Sequence, residues 1–260
     1  MPRRVILHPG FHKTGTTTLQ NTLRNNRAIL APRLKILLIE DIRSLCAATR
    51  RFSRFGDPLD LARIADDALT LAQNLQDHDG AVLISAEDLS GLIPGRDGKP
   101  GYDDTPKLMR LIADALRAVL PDTPLSVVFT TRTGVDWVNS CHAHHLRHTR
   151  MCLSRDDYVQ KFGAGADLTA AVAAVAAALP DVDVQQVAVE TAGDSPLGAL
   201  DLMLNRAEIP DALRRRLTPA PRANRALSAT ALSELLAINL SAISDDDAAR
   251  ARRAINRGRR

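Results

Sequence analysis

Lys13 stands in a run, His8-Pro9-Gly10-Phe11-His12-Lys13-Thr14-Gly15-Thr16-Thr17-Thr18, that combines one mobile cation, two glycines and four threonine hydroxyls directly behind the apolar stretch Val5-Ile6-Leu7. Those residue types suit phosphate. Glycines let a backbone close around phosphate oxygens with no Cβ in the way. The first N–H groups of a helix have no partner within it, and the helix dipole favours an anion there. The order predicts a strand, a glycine-bearing turn and a helix, with Lys13 set against phosphate charge. Its early position makes it the first βα unit of an α/β domain. A strand–turn–helix without a ligand is the plainer alternative.

The spacing decides which phosphate cradle this is. A nucleoside-triphosphate loop reads GxxxxGK[ST]. Gly10 and Gly15 keep its glycine spacing, but Thr16 stands where the lysine belongs, and the lysine sits at 13. That displacement argues against ordinary ATP or GTP hydrolysis. The order Lys13-Thr14-Gly15-Thr16-Thr17 resembles the 5′-phosphosulfate loop of sulfotransferases that use 3′-phosphoadenosine 5′-phosphosulfate (PAPS). The longer run from His8 to Gln20 is similar to that of the bacterial sulfotransferase-like family. The resemblance implies a P-loop-like three-layer sandwich, α/β, with a mainly parallel central sheet flanked by helices. It also implies transfer of a sulfuryl group from PAPS to a hydroxyl, or an amine, with no metal needed. On this reading Lys13 stabilises the departing phosphate, Thr16 and Thr17 hold the 5′-phosphate, and Thr14 and Gly15 contribute mostly backbone. His12, like His8, flanks the loop within reach of phosphate or substrate. Many family members carry a tryptophan after the two threonines, stacked on adenine. Thr18 occupies that position here, so the adenine contact must come from elsewhere.

A second pattern is the partner such a loop needs. Residues 125 to 131 are β-branched and apolar, as a buried parallel strand should be, and Arg132 ends them. Ser140 follows eight residues later. In the family an arginine and a serine so spaced grip the 3′-phosphate of PAPS, which suits a guanidinium fork and a hydroxyl donor. Downstream, Arg222, Asn224 and Arg225 resemble a phrase that closes over the nucleotide, and Ser228 is a plausible N-cap for the helix after it. The family's Arg-x-Gly phrase near the C-terminus has only Arg257-Gly258 as a doubtful counterpart.

Removing the acceptor proton requires a general base. Glu87, in Ser85-Ala86-Glu87 just past a predicted strand at 81–85, is the first candidate, because ligands gather at the carboxyl edge of a parallel sheet. The resemblance adds that bacterial relatives often carry a serine-and-glutamate phrase there. Glu40, past a second predicted strand at 34–39, is the rival; heparan-type sulfotransferases place a glutamate at a similar distance from the loop lysine. Capping of the next turn by Glu87 or Asp88 is the bland alternative. His142, His144, His145 and His148 share helical faces, but no cysteine or HExxH pattern accompanies them, and the expectation is no metal site. They are read as lining an acceptor cleft or as surface histidines.

The rest of the chain must position these groups. Its 260 residues suffice for one α/β domain with a substantial core. Residues 1–244 are read as that domain and 245–260 as a charged C-terminal tail or helix. With five Phe, two Tyr and one Trp, the core must be aliphatic, and stacking of nucleic-acid bases is disfavoured. A net charge of +4 suits an anionic ligand without being specific. Cys46, Cys141 and Cys152 have no paired spacing and read as reduced thiols of a cytoplasmic protein. The first residues do not read as a secretory signal, and no run approaches the roughly 18 apolar residues of a membrane span. Helices are expected at about 14–30, 58–78, 134–150, 166–179, 196–206, 210–216 and 228–242, another follows Asp104 or Thr105, and a last strand spans about 182–189. The loop at 90–106, rich in Gly, Pro and Asp, reads as a substrate lid or a flexible insertion. The acceptor stays open among small molecules, glycans, lipids and peptides. A P-loop kinase and a non-catalytic nucleotide-binding scaffold are the rival functions.

Overall fold

The computed structural model describes residues 1–221 and 227–257. In chain order the elements are β1 (Arg4–His8), α1 (Thr16–Asn25), α2 (Arg27–Leu30), β2 (Leu34–Leu38), α3 (Arg43–Phe55), α4 (Pro58–Gln73), β3 (Ala81–Ser85), α5 (Thr105–Val119), β4 (Leu125–Thr131), α6 (Gly134–His148), α7 (Arg155–Phe162), α8 (Leu168–Ala178), β5 (Asp183–Ala188), α9 (Leu200–Arg206), α10 (Asp211–Arg214), α11 (Ala229–Leu240) and α12 (Asp245–Arg257). They sort into two compact units.

The first unit holds residues 1–92, 102–132 and 167–223. Its five strands form one parallel sheet in the order β2-β3-β1-β4-β5. The chain leaves β1 towards β2 and thereafter steps only the other way. Right-handed crossovers therefore set the helices after β1 on one face and those after β2 and β3 on the other. The side chains agree. Ile6, Ile36, Leu83 and Val128 share a buried cluster with Leu19 and Leu23 of α1, Leu30 of α2, and Leu200, Met203 and Leu204 of α9. Residues of opposite parity, Val5, Leu7, Val82, Ile84, Val127 and Phe129, are buried on the other face, the side of α3, α4, α5 and α8. This is the expected α/β three-layer sandwich. Because β1 sends its helix to one face while β3 sends its helix to the other, the carboxyl end of β1 is a topological switch point, where open α/β sheets leave a crevice for ligands.

Boundaries differ from expectation where local chemistry intervenes. The first helix starts at Thr16, because Gly15 takes a left-handed conformation ahead of it. It breaks at Asn26, whose side chain bonds the Thr22 carbonyl (2.7 Å), the Thr218 carbonyl (2.9 Å) and the Thr218 N–H (3.0 Å). Helix α3 escaped prediction. Its sequence is rich in arginine, but Leu45, Cys46, Ala48, Thr49 and Phe52 make one buried face. Asp57 caps the following helix through the Leu59 N–H, with Pro58 in the first turn.

The second unit holds residues 93–101, 133–166 and 224–260. Helix α6 is its spine, with α7, α11 and α12 packed on it. Asn239 donates to the carbonyls of Leu146 (3.2 Å) and Met151 (3.0 Å) and accepts from Arg252 (2.7 Å). Ser228 caps α11, as expected, through the Ala231 N–H. The charged tail is helical, with three aspartates in its first turn matching the dipole. The stretch Arg155–Ala178, 24 residues, is long and apolar enough to cross a membrane by length and composition alone, which the sequence reading did not anticipate. It is divided into α7, a tight turn at Gly163–Ala166 and α8.

Candidate functional site

The loop after β1 is built for close approach. Gly10 has φ +55°, and a Cβ there would lie 2.8 Å from Thr16 Cγ2. Gly15 has φ +84° and turns the chain into α1. Neither a side-chain cap nor an acid occupies the first turn of that helix. Lys13 itself has φ +68°, in a region that non-glycine residues seldom adopt. Thr14 is fully buried and turns inward, donating to the Phe11 carbonyl (2.6 Å) and meeting Thr130 Oγ1 (2.7 Å). Its hydroxyl is therefore engaged inside the fold. Thr16 is buried, Thr18 is half-buried, and Thr17 is exposed at the helix start.

His8 is not a ligand. It is wholly buried, with Nδ1 2.8 Å from Ser85 Oγ and Nε2 3.4 Å from Thr130 Oγ1. Burial drives its pKa down to about 3, so it is neutral and ties the central strands together. The unfolded chain takes up this proton near the ordinary value of 6.5, while the folded chain resists until about 3. Stability is therefore full above pH 6.5 and declines as pH falls towards 3, by a few kcal/mol at order of magnitude. Urea unfolding between pH 7.5 and 4 should show that slope in the wild type and a flatter one in His8→Asn.

His12 is positioned by two partners. Tyr102 Oη accepts its backbone N–H (2.8 Å) and lies 3.0 Å from Nδ1, while Nε2 faces Asp88 Oδ1 at 3.4 Å. A phenol proton given to Nδ1 leaves the ring proton on Nε2, towards the carboxylate. Arg50 pairs with the other oxygen of Asp88 at 2.8 Å. Ser90 Oγ donates to the Gly10 carbonyl (2.7 Å) and Thr105 Oγ1 to the Ser90 carbonyl (2.8 Å). Both ends of the 90–106 loop are thus fastened next to the loop after β1. Sequence reasoning missed Tyr102. Its signal was available, since it is the one aromatic in a stretch of Gly, Pro and Asp.

The two candidate bases separate. Glu87 opens a 3-10 turn, Glu87–Ser90, just past β3, and β3 lies in register with β1 so that Ser85 faces His8. Gln20 of α1 donates to Glu87 Oε2 at 2.7 Å; Oε1 accepts no hydrogen bond among the described residues. Glu40 instead receives both Nε and Nη2 of Arg24, at 2.8 and 3.0 Å. The Arg24 hydrogen bonds hold its carboxyl down at about 2. A carboxylate so engaged is a poor proton acceptor at neutral pH. Glu40→Gln should leave turnover unchanged. It should also remove a stabilisation that is full above the ordinary glutamate range and is lost as pH falls towards 2. Melting temperatures of both proteins from pH 6 to 2.5 should converge at the acid end.

Arg132 follows β4, beside β1 in the sheet, and has no ion pair or hydrogen bond with any described residue. Such a guanidinium at the carboxyl edge of the sheet is available to an anion. Ser140 lies in the second unit, in α6, beyond the first turn where its role near a helix start was expected. Arg222, Asn224 and Arg225 fall outside the described residues. The segment leading to them is stapled to α1, by Asn26 as above and by Ala220 N–H to Thr22 Oγ1 at 3.0 Å.

Two of the α6 histidines, His142 and His145, are buried and serve its packing. His142 bonds the Leu153 carbonyl (3.0 Å), and His145 bonds Tyr158 Oη (2.9 Å). Burial lowers the basicity of His142. Among the described residues no group of three His, Cys, Asp or Glu could hold a metal ion. All three cysteines are free thiols. Compared with models of known protein families the chain matches none, and no curated protein matches it either.

Proposed function

We propose that this protein is a sulfotransferase that moves a sulfuryl group from PAPS to a hydroxyl of its acceptor. The observation that carries the reading is the loop of residues 9–15. It sits at the switch point of the sheet and runs into an uncapped helix, and Arg132, without an ion pair among the described residues, lies at the neighbouring strand's end. A phosphate fits such a cradle, because a Cβ at Gly10 would clash with Thr16 where the chain must stay close. Backbone N–H groups at the start of α1, with the Thr17 hydroxyl, receive the 5′-phosphate. Arg132 takes the 3′-phosphate.

In the transfer, the acceptor oxygen forms a bond to sulfur as the bond from sulfur to the bridging phosphate oxygen breaks. The electron pair stays on that oxygen, whose growing charge Lys13 offsets. The acceptor proton passes to the free oxygen of Glu87, which Gln20 holds in place. Positioning and electrostatics dominate, as in phosphoryl transfer.

Thermal unfolding tests the nucleotide class. Adenosine 3′,5′-bisphosphate at a hundredfold excess over its dissociation constant should stabilise by about 2.7 kcal/mol, without magnesium. A response confined to ATP with magnesium would favour a kinase instead.

A further inference from the structure

Phe55 and Leu59 are 65% and 76% exposed, and they bracket the turn between α3 and α4. Among the described residues of the first unit, Met1 is the only other exposed large hydrophobic. A lone exposed apolar side chain is ordinary, but two on one turn call for a reason. The turn projects: Gly56 closes α3 in a left-handed conformation, and a Cβ there would meet no atom within 4 Å. Cations surround it. Between residues 43 and 63 stand five arginines and two aspartates. Both aspartates are engaged, Asp57 by the Leu59 N–H and the buried Asp60 by Arg51. The Arg54 guanidinium lies over the Phe55 ring, 5.0 Å from its centre. Lys107 of α5 lies 5.0 Å from the centre of the Phe52 ring, about one turn before Phe55. Arg63, one turn beyond Leu59 on α4, is exposed and has no ion pair among the described residues. Long cationic side chains lie along apolar groups while their heads stay in water, so they frame the apolar pair and leave its tips open.

Size and charge together select the partner. Two side chains on a projecting turn fall far short of the roughly 800 Å² that each member of a stable protein complex contributes. They suit the boundary of a bilayer, where Phe and Leu enter the acyl region and basic groups reach lipid phosphates. We propose that the α3–α4 corner seats this protein on an anionic lipid surface. Phe55 and Leu59 enter the interface, and Arg54, Arg63 and Lys107 meet the headgroup phosphates. Such docking is peripheral and does not depend on what the loop after β1 binds. Arg50 of the same helix pairs with Asp88, just past β3, at 2.8 Å. The seated helix is thereby tied to the carboxyl edge of the sheet, and that edge is brought to the lipid surface.

Cosedimentation of the full chain with vesicles is the test, using phosphatidylcholine alone or mixed in equal parts with phosphatidylglycerol. Wild type should pellet with the anionic vesicles only, and less so as added salt screens the charges. Phe55→Ser combined with Leu59→Ser should weaken partitioning by about tenfold or more. Arg63→Gln alone should weaken it by about fivefold, the scale of one basic group at an anionic surface. These side chains are exposed, so the variants should melt with the wild type. Val135→Ser removes an apolar side chain of α6 that is 71% exposed, and it should change nothing. Wild type that ignores both kinds of vesicle, or a double variant that binds as well as wild type, would overturn the lipid seat. An equal loss in Val135→Ser would overturn it too, because the corner would then have no special part. A dimer in sedimentation velocity that the double variant dissociates, with no binding to vesicles, would give the corner to a second copy of the chain instead.

Discussion

Lys13→Ala should lower the turnover of PAPS by about 10²–10³-fold, the cost of removing one preorganised group that meets developing charge. The loss should fall on kcat, with little change in nucleotide affinity. On the proposed reading the backbone cradle and Arg132 would bind the phosphates in the ground state, whereas Lys13 would be needed most as the bridging oxygen gains charge. Its left-handed φ of +68° is consistent with a functional position, since strained residues persist where the surroundings impose them. Conversion of PAPS to adenosine 3′,5′-bisphosphate with water as acceptor measures this without knowing the natural acceptor. Equal falls in kcat and affinity would make Lys13 a simple binding residue.

Glu87→Gln should lower kcat by about 10²–10⁴-fold, the usual contribution of a general base. The amide oxygen of the variant still accepts from Gln20, so the loop around it should stay in place and nucleotide binding should be unaffected. Glu40→Gln serves as the paired control, because Glu40 is engaged by Arg24. Should Glu87→Gln retain full activity while Glu40→Gln loses it, the assignment of the base is reversed.

How much of this was legible in the sequence follows from the range of the interactions involved. The apolar runs at 4–8, 81–85 and 125–131 are strands at those very residues, because a strand buried on both faces imprints an unbroken β-branched run. The tight turn after β1 was legible because glycines at 10 and 15 answer to local backbone needs. Helix α3 was not, since its sequence carries four arginines and two serines, and only tertiary packing selects it. The ties from Tyr102 to His12 and from Gln20 to Glu87 span 90 and 67 residues; no local pattern announces such contacts. Glu40 and Glu87 both follow a strand and look alike in sequence. Arg24, on a different helix, separates them.

The central claim is that Arg132 and the Lys13 loop receive a nucleotide with phosphates at both the 3′ and 5′ positions. Calorimetric titration of wild type and Arg132→Ala with adenosine 3′,5′-bisphosphate, in the presence of a metal chelator, tests it most directly. The account predicts tight, metal-independent binding by the wild type and a loss of about tenfold or more in the variant, the scale of a charge-assisted phosphate contact. Failure of well-folded wild type to bind, or equal binding by both proteins, would contradict it.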